Sequence, residues 1–220
     1  MIQYFNSPLF SKLSDSEKEI LLGSSVLTIY EKGELIVKKG AYNNTCLFLV
    51  SGYVKLYTEE PPYKRVFDIL KPNRIIGILS VFHANIYTVT AVAITDVQII
   101  SFDKAMLGTM ISKNLEFQKF WLENISILSN RYIQFLAFQN KKNVRGRIAQ
   151  VLLYLCESVY ESTEFYQTLT RKEIAELAST STETVIRIFS EFKRENIISF
   201  KGKTITILNK EYLQQLRIKG

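Results

Sequence analysis

The sequence predicts an α+β chain: an antiparallel all-β N-terminal half, one long helix, and a C-terminal helix-turn-helix followed by a β-hairpin. Three observations carry this expectation. Residues 25–103 break into short apolar runs separated by turn signals, the spacing of an antiparallel sandwich or barrel. Residues 113–140 switch to apolar positions three and four apart, the period of a helix. Residues 170–207 hold two short amphipathic helical patterns and then two alternating runs around a glycine.

In the β half, Val26–Tyr30 is closed by Glu31-Lys32-Gly33, and Leu35–Val37 by Lys38-Lys39-Gly40. Cys46–Val50 runs into Ser51-Gly52, Tyr53–Tyr57 into Glu59-Glu60-Pro61-Pro62, and Val66–Leu70 into Lys71-Pro72-Asn73. Gly and Pro at these points supply the dihedrals that reverse the chain. Ile75–Thr95 is uncharged over twenty-one residues, as long as a membrane span. His83-Ala84-Asn85 splits it, and from Tyr87 the β-branched, partly alternating pattern is that of a strand. No membrane association is expected, and Met1–Asn6 lacks the basic and apolar segments of a secretory signal.

Neither Gly nor Pro interrupts residues 109–145, so a helix of about 25 residues fits. Trp121, Ile125, Leu128, Tyr132 and Phe135 step by 4, 3, 4 and 3, the seam of a two-stranded coiled coil. A homodimer through residues 113–140 is expected; the same stripe also suits a helix packed on its own β-domain. The polar segment Asn140-Lys141-Lys142-Asn143 marks a hinge. The chain therefore divides into a β-domain over 1–112, a dimerisation helix over 113–140 and a helix-turn-helix domain over 141–220.

Charge and chemistry narrow the function. Residues 1–112 carry eleven Lys and Arg against ten Asp and Glu, and residues 113–140 carry three against two. Residues 141–220 carry fourteen against nine, so most of the net +7 sits in the last third, as for a partner that is anionic. His83 is the one histidine, and Cys46 and Cys156 lie far apart. A His dyad, a multi-histidine metal site, a Cys-x-x-Cys pair and a disulfide scaffold are therefore excluded. No cofactor, metal or enzymatic activity is expected, and a reducing, cytoplasmic setting fits.

Thr170-Arg171-Lys172-Glu173 has the form of a capping box and starts a helix whose buried face is Ile174, Leu177 and Ala178. Ser179-Thr180-Ser181 ends it. After Ser181, Val185, Ile188, Phe189 and Phe192 give a second buried face, leaving Thr182, Glu183, Ile186, Arg187, Ser190 and Arg194 outside. Glu183 and Arg187 lie near the N-terminal end, where a recognition helix meets base edges. Arginine can bridge guanine O6 and N7, and a carboxylate can accept from cytosine N4. The same two residues also suit a surface ion pair four apart. Ile197–Phe200 and Thr204–Ile207 alternate around Lys201-Gly202-Lys203, a hairpin wing with two lysines at its tip.

In these segments the chain resembles the Crp/Fnr superfamily of bacterial transcription regulators. The resemblance is densest at Asn143–Leu153, Glu183–Ile188 and Gly202–Ile205. It implies an N-terminal β-roll of jelly-roll type that senses an effector, a dimerisation helix and a winged helix-turn-helix. It implies further that Glu183 and Arg187 read bases, with Val144, Thr170, Arg171, Ser181, Thr184 and Lys203 on the phosphate backbone. Thr182 stands where the cyclic-AMP-responsive branch has a guanine-reading arginine. Double-stranded DNA with a pseudo-palindromic operator, a second copy of the chain and RNA polymerase are the implied partners.

The sensor half departs from that branch. Its cassette needs a glutamate after the glycine and an Arg-Ser pair about ten residues on, whereas this chain has Gly77-Ile78 and then Tyr87-Thr88. A phosphate there would meet no cation. The helix positions that touch the purine are Tyr132 and Ile133. Cyclic AMP is therefore not the expected effector, and Gly77, Ile78, Tyr87, Thr88, Tyr132 and Ile133 are candidates to line the pocket of another. A competing expectation is a small-molecule or protein-interaction sensor with degenerate, nonspecific DNA binding. That class predicts loss of Arg187 or of the wing lysines, and both are present.

Overall fold

The computed structural model describes residues 7–60, 63–83, 85–139 and 143–219. The chain forms two compact units, residues 1–58 with 69–131 and residues 59–68 with 132–220.

The N-terminal half of the chain carries strands β1 (Val26–Tyr30), β2 (Leu35–Val37), β3 (Thr45–Ser51), β4 (Val54–Glu60), β5 (Tyr63–Leu70), β6 (Arg74–Ile76), β7 (Thr90–Ala93) and β8 (Val97–Asp103). They form two four-stranded sheets, ordered β1-β8-β3-β6 and β2-β7-β4-β5, the interleaved order of a jelly roll. Residues 59–68, the end of β4 and most of β5, cluster with the second unit. Period-two alternation sorts the side chains of β3 and β8. Cys46, Phe48, Ile100 and Phe102 point into one apolar cluster with Leu9, Phe10, Leu13 and Leu21. Gly52 turns β3 into β4 at φ +82°, and a Cβ there would lie 2.2 Å from the Asp96 carbonyl oxygen, so the position takes glycine alone.

Three helices of the first unit have no counterpart in the sequence reading. Helix α1 (Asp15–Gly23) begins at a capping box, Ser14 with Glu17, a readable signal. The short α2 (Ser80–His83) and α3 (Lys104–Lys113) follow; Asp103 caps α3 by accepting from the Met106 N–H at 2.8 Å. Leu107 and Met110 of α3 complete the cluster. Helix α4 spans Leu115–Gln139, 25 residues, matching the length expected. Its Phe117 and Trp121 are buried in the same cluster, with Phe120 and Ile125 packed against it. Among the described residues no helix is long and apolar enough to cross a membrane. The uncharged segment 75–95 instead supplies the end of β6, then α2 and β7.

The second unit contains α5 (Val144–Tyr154), a π-helical turn at Leu155–Val159 and β9 (Glu164–Tyr166). Helices α6 (Arg171–Ala178) and α7 (Thr182–Arg194), strands β10 (Ile198–Lys201) and β11 (Thr204–Ile207), and helix α8 (Lys210–Lys219) complete it. The hairpin becomes a three-stranded sheet, β10-β11-β9; β9 is too short to show a pattern in the sequence. Cys46 and Cys156 are free and buried. Burial raises both thiols above their ordinary range, which leaves them protonated and unreactive.

Candidate nucleic-acid interface

Local sequence explains how the second unit sets out its helices. Thr170 Oγ1 accepts from the Glu173 N–H at 3.2 Å while the Glu173 carboxylate accepts from the Thr170 N–H at 2.8 Å, the capping box expected. Ser181 Oγ caps α7 by accepting from the Thr184 N–H at 3.2 Å, and Asn143 Oδ1 caps α5 by accepting from Gly146 at 2.8 Å. Val144, Thr170, Arg171, Ser181 and Thr184 thus lie at the N-terminal turns of α5, α6 and α7. There unpaired backbone N–H groups and the helix dipole favour an anion.

Between α6 and α7 the chain reverses at Ser179, which is left-handed at φ 48°. Two bonds from α5 hold that turn: Arg147 Nε donates to the Ala178 carbonyl at 2.9 Å, and Arg147 Nη2 to that of Ser179 at 3.2 Å. Sequence reading gives Arg147 no role, because its partners lie some thirty residues away. Replacing Arg147 with alanine should lower the stability of this unit by about 2–3 kcal/mol, as expected for losing charge-assisted bonds to carbonyls. Thermal denaturation of the variant measures it, and an unchanged midpoint would show that the turn holds itself.

Helix α7 buries Val185, Ile188, Phe189 and Phe192. The opposite face carries Glu183, Ile186, Arg187 and Ser190. All four are exposed. The Glu183 carboxyl is held below its usual range by its own backbone N–H and by Ser181, so at neutral pH it is an acceptor. Arg187 does not pair back to Glu183 among the described contacts. It donates forward to Glu191 at 2.6 Å, with its own side chain 64% exposed. Glu191 is in turn held by Arg145 of α5 at 2.9 Å, and Arg145 also bonds Glu195 and lies over the Phe192 ring. The surface pair exists, but with a partner one turn further along. It leaves Glu183 outside the ion pair and Arg187 solvent-facing.

Arg171 has a different setting. Its guanidinium stacks over Phe189 and Phe200, 4.4 and 5.1 Å from the ring centroids, and bonds Gln167. That contact ties α6 to α7 and to the wing. Lys201 and Lys203 are exposed at the wing tip, flanking Gly202 at φ +61°.

The candidate effector residues fall in both units. In the first, the Tyr87 ring is buried against Gly77: a Cβ on Gly77 would lie 3.1 Å from it. Tyr87 Oη donates to the Thr45 carbonyl at 3.3 Å. Thr88 is tied to Ser80 through its hydroxyl at 2.9 Å, and Ile78 packs on the apolar cluster. An open cavity of about 420 Å³ is lined by Tyr30, Leu35, Val37, Lys38, Tyr42 and Tyr87, among others. In the second unit Tyr132 donates to Asp68 at 2.9 Å and Tyr154 to the other oxygen of the same carboxylate at 2.6 Å. Ile133 is exposed. Among the described residues no group of acidic, His or Cys side chains is placed to hold a metal ion.

The stripe expected to form an intermolecular seam is partly used inside the chain. Trp121 is 2% exposed and Ile125 packs on the same cluster, while Leu128 is half-buried. The Phe135 side chain lies outside the described residues. The exposed large apolar side chains of α4, among the described residues, are Leu115, Leu122, Ile127 and Ile133.

These features define a winged helix-turn-helix DNA-binding protein with an N-terminal β-roll. Residues 27–114 match the cyclic nucleotide-binding domain family and residues 146–216 the Crp-like helix-turn-helix domain family. A CRP-like cAMP-activated global transcriptional regulator of Mycobacterium tuberculosis is 28% identical over 189 residues, 84% of each chain. The fumarate and nitrate reduction regulatory protein of Yersinia pestis is 37% identical over 81 residues, 35% of this chain and 32% of that one. The structure of FixK2 from Bradyrhizobium japonicum matches in fold with a TM-score of 0.80 at 18% identity, covering 87% of this chain and 96% of that one. The chain belongs to the Crp/Fnr superfamily, as a transcription regulator with a DNA-binding helix-turn-helix and not an enzyme.

Proposed function

We propose that the chain is a cytoplasmic, homodimeric regulator that reads a pseudo-palindromic operator with α7, acts on RNA polymerase, and answers to an effector other than cyclic AMP. The observation that carries this is the outer face of α7. Glu183 and Arg187 stand open to solvent in the N-terminal half of a helix locked from behind by four buried apolar side chains. The N-terminal turns at Val144, Thr170, Arg171, Ser181 and Thr184, with Lys203 on the wing, are suited to phosphate contacts that set the register. Thr182 adds a short hydroxyl at the start of the reading face.

Dimerisation is assigned to α4. Positions 122, 126, 129 and 133 step by 4, 3 and 4, with exposed Leu122 and Ile133 at the two ends and small serines between them. Large apolar side chains left in water along one stripe call for a partner helix. Binding-site selection from random DNA by the purified protein tests the reading. The expected product has two half-sites with centres about 34 Å apart, one helical turn, each with a GA step and its paired TC as the family resemblance implies. A pool with no consensus would favour the degenerate, nonspecific class instead.

Cyclic AMP meets an aromatic ring where it needs a cation. Tyr87 fills the space above Gly77, and an uncompensated buried phosphate costs several kcal/mol, roughly. Calorimetry with cyclic AMP is expected to show no binding at micromolar concentration. Tight binding would mean that other residues hold the phosphate. The nearby cavity, with Tyr30, Tyr42, Tyr87 and Lys38 in its lining, is the candidate pocket for an effector other than cyclic AMP.

A further inference from the structure

Ile186 is 51% exposed on the outer face of α7, and nothing inside the chain accounts for it. The core already takes Val185, Ile188, Phe189 and Phe192. Helix propensity offers no reason, since a β-branched side chain is a weaker helix former than Ala or Leu. Its surroundings on that face are polar: Glu183 one turn before it, Arg187 beside it, Ser190 one turn after, then Lys193 and Arg194.

Ile186 is the fifth residue of the helix and lies about 60° round it from Glu183. It therefore belongs to the segment of a recognition helix that meets base edges. In the major groove the apolar feature is the C5-methyl of thymine. We infer that Ile186 is a specificity-determining residue that packs on a thymine methyl beside the base pair read by Arg187. The half-site then contains a required thymine, recognised by its methyl group and not by a hydrogen bond. The inference rests on the reading of α7 as the base-reading helix.

The test uses the full-length protein and the selected operator, with each thymine of one half-site replaced in turn by deoxyuridine, which lacks the methyl and keeps the pairing edge. Wild-type protein is expected to lose about fourfold in affinity at one thymine, the worth of one buried methyl-sized group, and little at the others. Ile186→Ala is expected to bind the thymine and uracil operators equally, so the two changes are non-additive. Its exposure makes the substitution safe for folding, which a thermal melt checks. The inference is overturned if no thymine in the half-site is sensitive, or if the sensitivity persists in Ile186→Ala. If Arg187→Ala still discriminates at its guanine, the assignment of Arg187 as a base reader has failed, and that outcome is separate from any uracil result.

Discussion

Replacing Arg187 with alanine is expected to weaken operator binding by about 1–3 kcal/mol per half-site and to flatten discrimination at one base pair in each. The size of the effect follows from the side chain's setting. Glu191 holds one guanidinium nitrogen at 2.6 Å and is itself anchored by Arg145, so Arg187 is partly ordered before DNA arrives, which reduces the entropy lost on binding. The rest of its fork is available to bridge guanine O6 and N7.

Lys203→Ala is the contrasting variant. It should weaken all sequences alike and lower the salt slope by about 0.9 for each phosphate that the lysine no longer neutralises. A competition titration with all four bases at the proposed guanine separates the two. If Arg187→Ala keeps its base preference while losing general affinity, Arg187 is a phosphate clamp and α7 reads with other residues.

Trp121→Ala and Leu122→Glu, one residue apart on α4, are expected to fail in opposite ways. Trp121 is 2% exposed, with its ring edge-on to Phe117 at a centroid distance of 6.0 Å. Removing it leaves a cavity and should cost about 3–5 kcal/mol of stability. Leu122 is 61% exposed, so Leu122→Glu should change the stability of the subunit by less than about 0.5 kcal/mol. That variant should instead place two carboxylates against each other in a dimer and shift it toward monomers. Denaturation at fixed protein concentration, because dimer stability depends on it, together with sedimentation, reads both effects. Should Leu122→Glu remain as dimeric as the wild type, the dimer does not form through this stripe.

What is legible in the sequence is what is specified within a few residues. Thr170 with Glu173 starts α6, Ser181 starts α7, and Lys201-Gly202-Lys203 turns the wing, each through bonds spanning two to four residues. The 25-residue length of α4 follows from the absence of Gly and Pro. The capping box at Ser14 marks α1 in the same way.

The tertiary structure decides questions that periodicity leaves degenerate. The stripe from Trp121 to Tyr132 has one spacing whether it faces a partner helix or its own sheet; Phe48, Phe102 and Phe117 in the cluster claim Trp121. Glu183 and Glu191 are equally spaced from Arg187, four residues back and four forward. Arg145, forty-six residues from Glu191 in sequence, holds the acceptor that Arg187 takes. Arg147 likewise reaches a turn thirty-one residues away. Such choices depend on which surfaces the fold brings within hydrogen-bonding or van der Waals distance, and no local pattern of one chain segment contains that information.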